Sequence, residues 1–121
     1  NQAFNITTGE VFRWRWLWPR LAEFFGLEWE GYAGQPRPLQ ARMGDAPAVW
    51  RRIAEREGLV EADIDRLASW WHTDGDTGRP IECFTDMTKS RLAGFLGYRS
   101  TELSFHDIIR RYREAGYLPS W

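Results

Sequence analysis

The sequence predicts an α+β fold, predominantly helical with two or three short strands. Three observations predict it. Apolar residues recur at helical spacing around 17–25, 46–57, 62–71 and 105–112. Near the start, residues 3–7 and 11–16 alternate apolar and polar side chains instead, the period of a half-buried strand. Between these stretches lie clusters of Gly, Pro and Asp that break both periods.

Taken in order, Ala3 to Thr7 reads as a short strand and Thr8-Gly9-Glu10 as a turn. Val11 to Trp16 reads as a second strand, with Phe12, Trp14 and Trp16 on one side and Arg13 and Arg15 on the other. Leu17, Leu21, Phe24 and Phe25 then form one helical stripe that Gly26 ends, with Pro19 placed in the first turn. Leu27 to Glu30 is a third strand candidate, and residues 31–38, with two Gly and two Pro, a loop. A helical turn at 39–43 precedes a helix from Ala46 to Glu57, which turns Val49, Trp50, Ile53 and Ala54 inward and stops at Gly58. Ala62 to Trp71 is expected as a helix with Ile64, Leu67, Ala68 and Trp71 on one stripe. Residues 73–78 form a turn-rich break, followed by a short strand at Ile81 to Phe84. Asp86 is placed to cap a helix from Met87 to about Ala93. Ser104 and Asp107 have the form of a capping box ahead of Phe105, Ile108, Ile109 and Tyr112. Strands this few and short do not make an independent sheet, so their expected partner is a sheet elsewhere in a parent protein.

The length of 121 residues fits one domain, and a 16% aromatic share can wall a core or a cleft with few residues. Sixteen basic against seventeen acidic residues leave a net charge of −1, which argues against nucleic acid or an anionic membrane as partner. The single Cys83 has no internal disulfide partner, so a reducing, cytoplasmic compartment is expected. The chain opens without Met, directly in a strand-like segment, and is expected to be part of something longer.

Most sharp chemical readings fail on spacing. Asp74 and Asp76 open like a calcium loop, but the fifth and twelfth positions are Gly78 and Thr85, which lack the carboxylates needed. His72 and His106 have only Cys83 to join them, far from zinc-ligand spacing, and no local signature makes Cys83 a nucleophile. The Arg-aromatic run from Phe12 to Arg20 reads more simply as inward aromatics with surface arginines than as a nucleic-acid platform. No glycine-rich dinucleotide cradle is present, and no Tyr is followed four residues later by Lys. Neither catalytic nor metal-binding nor cofactor-binding residues are therefore assigned.

The run Ala3-Phe4-Asn5-Ile6-Thr7-Thr8-Gly9-Glu10-Val11-Phe12-Arg13-Trp14, continued by Leu17-Trp18-Pro19-Arg20-Leu21-Ala22 and Phe25-Gly26, resembles the C-terminal third of an atypical group of short-chain dehydrogenases. This is the progesterone 5-beta-reductase/iridoid synthase-like group of the epimerase/dehydratase superfamily. Pro47-Ala48-Val49-Trp50 with Ile53, Trp70-Trp71, Asp86-Met87-Thr88-Lys89-Ser90, Gly94-Phe95-Leu96-Gly97-Tyr98 and the ending Tyr117-Leu118-Pro119 agree in order and spacing. The resemblance covers nearly the whole chain.

That resemblance implies a parent with a Rossmann domain that uses NADPH (or NADH) to reduce the carbon–carbon double bond of enones. It implies that residues 1–121 are the substrate-binding part, inactive without the Rossmann domain, which becomes the expected partner along with a small apolar carbonyl substrate. Self-association of the isolated chain is a further expectation. The group places its pocket wall at and just after the Trp-Trp pair, which puts Trp71, His72 and Asp74 at the substrate. Trp70 is the better candidate for plain packing, and Asp86 and Lys89 for a helix cap and a surface charge. The group more often carries Phe where His72 stands, a departure that implies a more polar pocket. Two other readings stay open: the matching part of a nucleotide-sugar epimerase or dehydratase, which would need an Arg for a diphosphate, and a free-standing small-molecule binding or interaction domain.

Overall fold

The computed structural model describes residues 1–120 and divides the chain into two compact units. The first joins Asn1–Tyr32 to Glu82–Ile108, and the second joins Ala33–Ile81 to the residues from Ile109 onward. Among the described residues there are six α-helices and one 3-10 turn: α1 Trp14–Phe24, α2 Leu39–Arg42, α3 Ala46–Glu57, the 3-10 turn Ile64–Arg66, α4 Trp70–Thr77, α5 Thr88–Leu92 and α6 Thr101–Glu114.

No strand occurs among the described residues, which corrects the expected α+β class to an all-helical one. The alternating segment at 3–7 does run without helix, but its polar groups are taken by partners other than a strand. The Ala3 carbonyl accepts from Lys89 Nζ at 2.8 Å, and the Asn5 carbonyl from the Ser90 hydroxyl. Asn5 Nδ2 donates to the Asp86 carbonyl at 3.0 Å, and the Thr8 carbonyl accepts the Arg99 N–H at 2.8 Å. A ladder needs a second strand, and here side chains of α5 occupy that place. Residues 27–30 and 81–84 likewise carry no regular structure.

The stretch 11–16 is overturned differently. Helix α1 begins at Trp14, so Trp14, Arg15 and Trp16 belong to it and Pro19 lies inside the helix instead of in its first turn. Pro19 has no N–H to offer the carbonyl of Arg15. The expected one-sided aromatic face is lost with the strand. Leu17 is the one fully buried side chain of α1, while Trp14, Trp16 and Trp18 are partly exposed. Trp14 packs edge-on against Phe12, Trp18 and Phe105 at 5.4, 6.4 and 6.2 Å between ring centres. Trp16 lies under the Arg20 guanidinium at 4.1 Å. Phe24 stacks on His106 at 4.3 Å.

Helix ends follow the sequence better than helix identities do. Gly26 and Gly58 both adopt φ of +65°, closing α1 and α3 with Leu27 N–H to the Ala22 carbonyl and Leu59 N–H to the Ala54 carbonyl, each 2.9 Å. Asp86 accepts from the Thr88 N–H at 2.9 Å and its hydroxyl at 2.6 Å, but α5 runs only Thr88–Leu92, so Met87 takes the N-cap position and Asp86 lies one residue before it. The capping box at Ser104 does not form, because α6 starts earlier, at Thr101. The Thr101 N–H is instead received by the Glu10 carboxylate, ninety-one positions away in sequence. Ser104 donates back to the Ser100 carbonyl at 2.8 Å, and Asp107 pairs with Arg99.

In the second unit the expected helix 62–71 is replaced by the 3-10 turn and a helix that starts at Trp70 and runs through the supposed break at 73–78. Local side-chain bonding explains the shift. Asp63 accepts the Asp65 N–H at 3.1 Å, fixing a tight turn where a helix was expected to continue. The Ser69 carbonyl then receives both the N–H and the hydroxyl of Thr73, each at 3.0 Å, starting α4. Around it, Trp50 Nε1 donates to the Glu61 carbonyl at 3.0 Å and the Val60 N–H to the Gly116 carbonyl at 3.0 Å.

Candidate functional site

Within the second unit, α2, the 3-10 turn and the start of α4 enclose an open cleft of about 240 Å³ lined by Gln40, Asp65, Ala68, Ser69, Trp70 and Trp71. That is just under the roughly 300–1,000 Å³ of small-molecule sites. Two tryptophans and an alanine supply its apolar lining, and Gln40, Asp65 and Ser69 are its polar lining residues.

The three sequence-predicted residues fall in three different places. Trp71 lines the cleft and is 68% exposed, so its ring is free to meet a ligand. Trp70, the packing candidate, is half-buried and lines the cleft as well. His72 is the next residue on α4 but does not line the cleft. Its ring stands tilted 5.6 Å from that of Trp71, and its Nε2 lies 3.5 Å from the Asp76 carboxylate. Asp76 in turn accepts from Arg79 Nη2 at 2.6 Å. Asp74 turns away from the cleft to α2, where its two carboxylate oxygens accept the N–H groups of Leu39 and Gln40 at 2.8 and 3.0 Å. A single carboxylate thereby satisfies two of the free amides that begin α2.

Gln40, Asp65, Ala68 and Ser69 were not visible as site residues in sequence. Ala68 sits in the apolar stripe and is legible as lining. Gln40 lies beyond a Gly/Pro loop, thirty-four positions before Asp74, and no spacing rule links the two.

At α2, α5 and α6 the carboxylates of Asp74, Asp86 and Glu10 already hold N–H groups at the helix start, the groups a pyrophosphate would otherwise use. Among the described residues no group of three or more His, Cys, Asp or Glu is placed to hold a metal, and no helix is long and apolar enough to cross a membrane.

Comparison with known proteins bears on this arrangement. An (S)-8-oxocitronellyl enol synthase of Nepeta cataria is 38% identical over 121 residues, covering 98% of this chain and 31% of that protein. The corresponding enzyme of Antirrhinum majus is 37% identical with the same coverage, and that of Catharanthus roseus is 34% identical. No family model matches. The class defined is that of the atypical short-chain reductases. Within it, the chain belongs to the progesterone 5-beta-reductase/iridoid synthase-like family, and it spans 31% of the length of the relatives it matches.

Proposed function

We propose that this chain is the substrate-binding part of an NADPH-dependent reductase acting on small enone or enal carbonyl compounds. The observation that carries the reading is the Trp70–Trp71 cleft, which lies in a chain 34–39% identical to (S)-8-oxocitronellyl enol synthases. The family resemblance implies hydride chemistry on an enone; when bound to its own domain, the nicotinamide supplies that hydride. This chain's contribution is to bind and to exclude water. Indole walls favour a planar conjugated carbonyl over water, and a dry wall protects a reactive intermediate. Trp71 is the principal contact, and His72, outside the cleft lining, stands beside it on α4.

A nucleotide-sugar enzyme would need a cation for the diphosphate, and the cleft offers the Asp65 carboxylate where an Arg would be required. The test is a chimera in which this chain replaces the matching third of a relative. The reading expects NADPH oxidation that depends on an added enal, with KM raised about tenfold or more by Trp71→Ala, the loss of roughly one aromatic contact. Turnover of the enal unaffected by Trp71→Ala, or a preference for a nucleotide sugar, would overturn it.

A further inference from the structure

The cleft has one polar wall whose placement is held by a residue outside it. Gln40 is the second residue of α2, a helix of only four residues, Leu39–Arg42, with no side-chain cap of its own. So short a helix is not self-supporting, because nucleation costs more than a few hydrogen bonds return. It follows the Gly- and Pro-bearing loop 31–38, with Pro38 directly before it. What fixes it is Asp74, half-buried on α4, whose carboxylate holds the Leu39 and Gln40 amides at 2.8 and 3.0 Å. Asp74 is three residues beyond Trp71 on the same helix. The residue that anchors α2 is therefore rigidly tied to the one that walls the cleft.

We infer that Gln40 is a specificity-determining residue that hydrogen-bonds the oxygen at the far end of an oxygenated carbonyl substrate, and that Asp74 is the positioning residue that holds Gln40 there. The inference rests on the cleft being the substrate site proposed above. A carboxamide both donates and accepts, so it matches a hydroxyl or an aldehyde oxygen, whereas it leaves a methyl terminus without benefit. Asp74, with both oxygens occupied by backbone amides, is removed from direct contact with substrate. Ser69 and Asp65, which also line the cleft, and His72, paired toward Asp76, are the other polar groups near the indoles.

The experiment measures binding of two probes to the 121-residue chain: citral, an enal with an apolar end, and its derivative hydroxylated at that end. Two-dimensional NMR follows the Trp70 and Trp71 indole N–H signals. Gln40→Leu is expected to weaken the hydroxylated probe about five- to tenfold and citral less than about twofold, the selectivity of one hydrogen bond. Asp74→Asn, which replaces one accepting oxygen by a donor, is expected to produce the same selective loss and faster exchange of the Leu39 and Gln40 amides. In the Gln40→Leu background, Asp74→Asn should still speed that exchange but weaken the hydroxylated probe no further. A general structural role would lower affinity for both probes alike. Equal losses for the two probes, or no loss in Gln40→Leu, overturn this inference and leave the cleft as substrate site. Binding of neither probe by the unsubstituted chain overturns both.

Discussion

Asp86 shows how a single residue's chemistry carries into behaviour. Its carboxyl is held below the ordinary value of 3.8, chiefly by the Thr88 hydroxyl and then by the Thr88 N–H. A depressed folded-state value means the contribution of these bonds is complete above the unfolded value and is lost as pH falls through the lower folded one. Protection of the Thr88 amide, its exchange relative to the unstructured rate at the same pH, should therefore fall as the pH drops below the ordinary carboxylate value of about 4 in the native chain. In Asp86→Ala that protection should be low throughout, without the step. Leu17, with none of its surface exposed, makes the complementary apolar case. Leu17→Ala is expected to cost the first unit about 2–5 kcal/mol, read as a lowered urea midpoint. At this scale sequence reading succeeded at several local features and missed others, such as the turn that Asp63 fixes. The stops at Gly26 and Gly58 and the bonds of Asp86 to Thr88 each depend on neighbours within a few positions. The hydrogen bonds of Asp74 to α2 were not legible, because a carboxylate that caps a helix thirty-four residues away leaves no local signature.

Among the elements, α6 depends most on a distant partner. Its first amide is received by Glu10, and Arg20 meets Glu102 at 3.3 Å on the same turn. Glu10→Ala is expected to cost about 0.5–2 kcal/mol and to speed exchange at Thr101 before any other part of α6. Unchanged exchange there would mean that the cap is supplied otherwise. The missing strands belong to this scale too. Alternation at 3–7 predicts a strand that does not form, because whether such a segment is a strand is decided by what binds its carbonyls. Lys89 and Ser90 do so here, and they lie more than eighty positions away. In the same way α4 contradicts its own composition. Gly75 and two Asp residues argue for a turn, while Ser69, Thr73 and Thr77 bond along the helix and sustain it.

For the whole molecule the leading fact is how little apolar surface the chain covers. Among the described residues, Leu17, Ala54 and Met87 are the buried hydrophobic ones. The accessible area is 9813 Å², whereas two separate compact units of half this mass would expose only about 8,200 Å². The surplus includes large side chains such as Trp18, Trp29, Phe84 and Leu96, each more than half exposed. Surfaces of that kind are covered in use. A substrate-binding part docked on a cofactor domain would cover them, and the isolated chain is expected to self-associate instead. Sedimentation at rising concentration should show a growing average mass; a constant monomer mass would contradict this.

A conjugated carbonyl substrate seated in the Trp70–Trp71 cleft is tested most directly by an NMR titration of the chain with citral, observing all the indole N–H signals together. Saturable shifts confined to Trp70 and Trp71 are expected, with the Trp70 shift lost in Trp71→Ala and no change at Trp50, whose indole donates to Glu61 elsewhere in the same unit. Shifts spread evenly over the tryptophans, or none at either cleft residue, would contradict it.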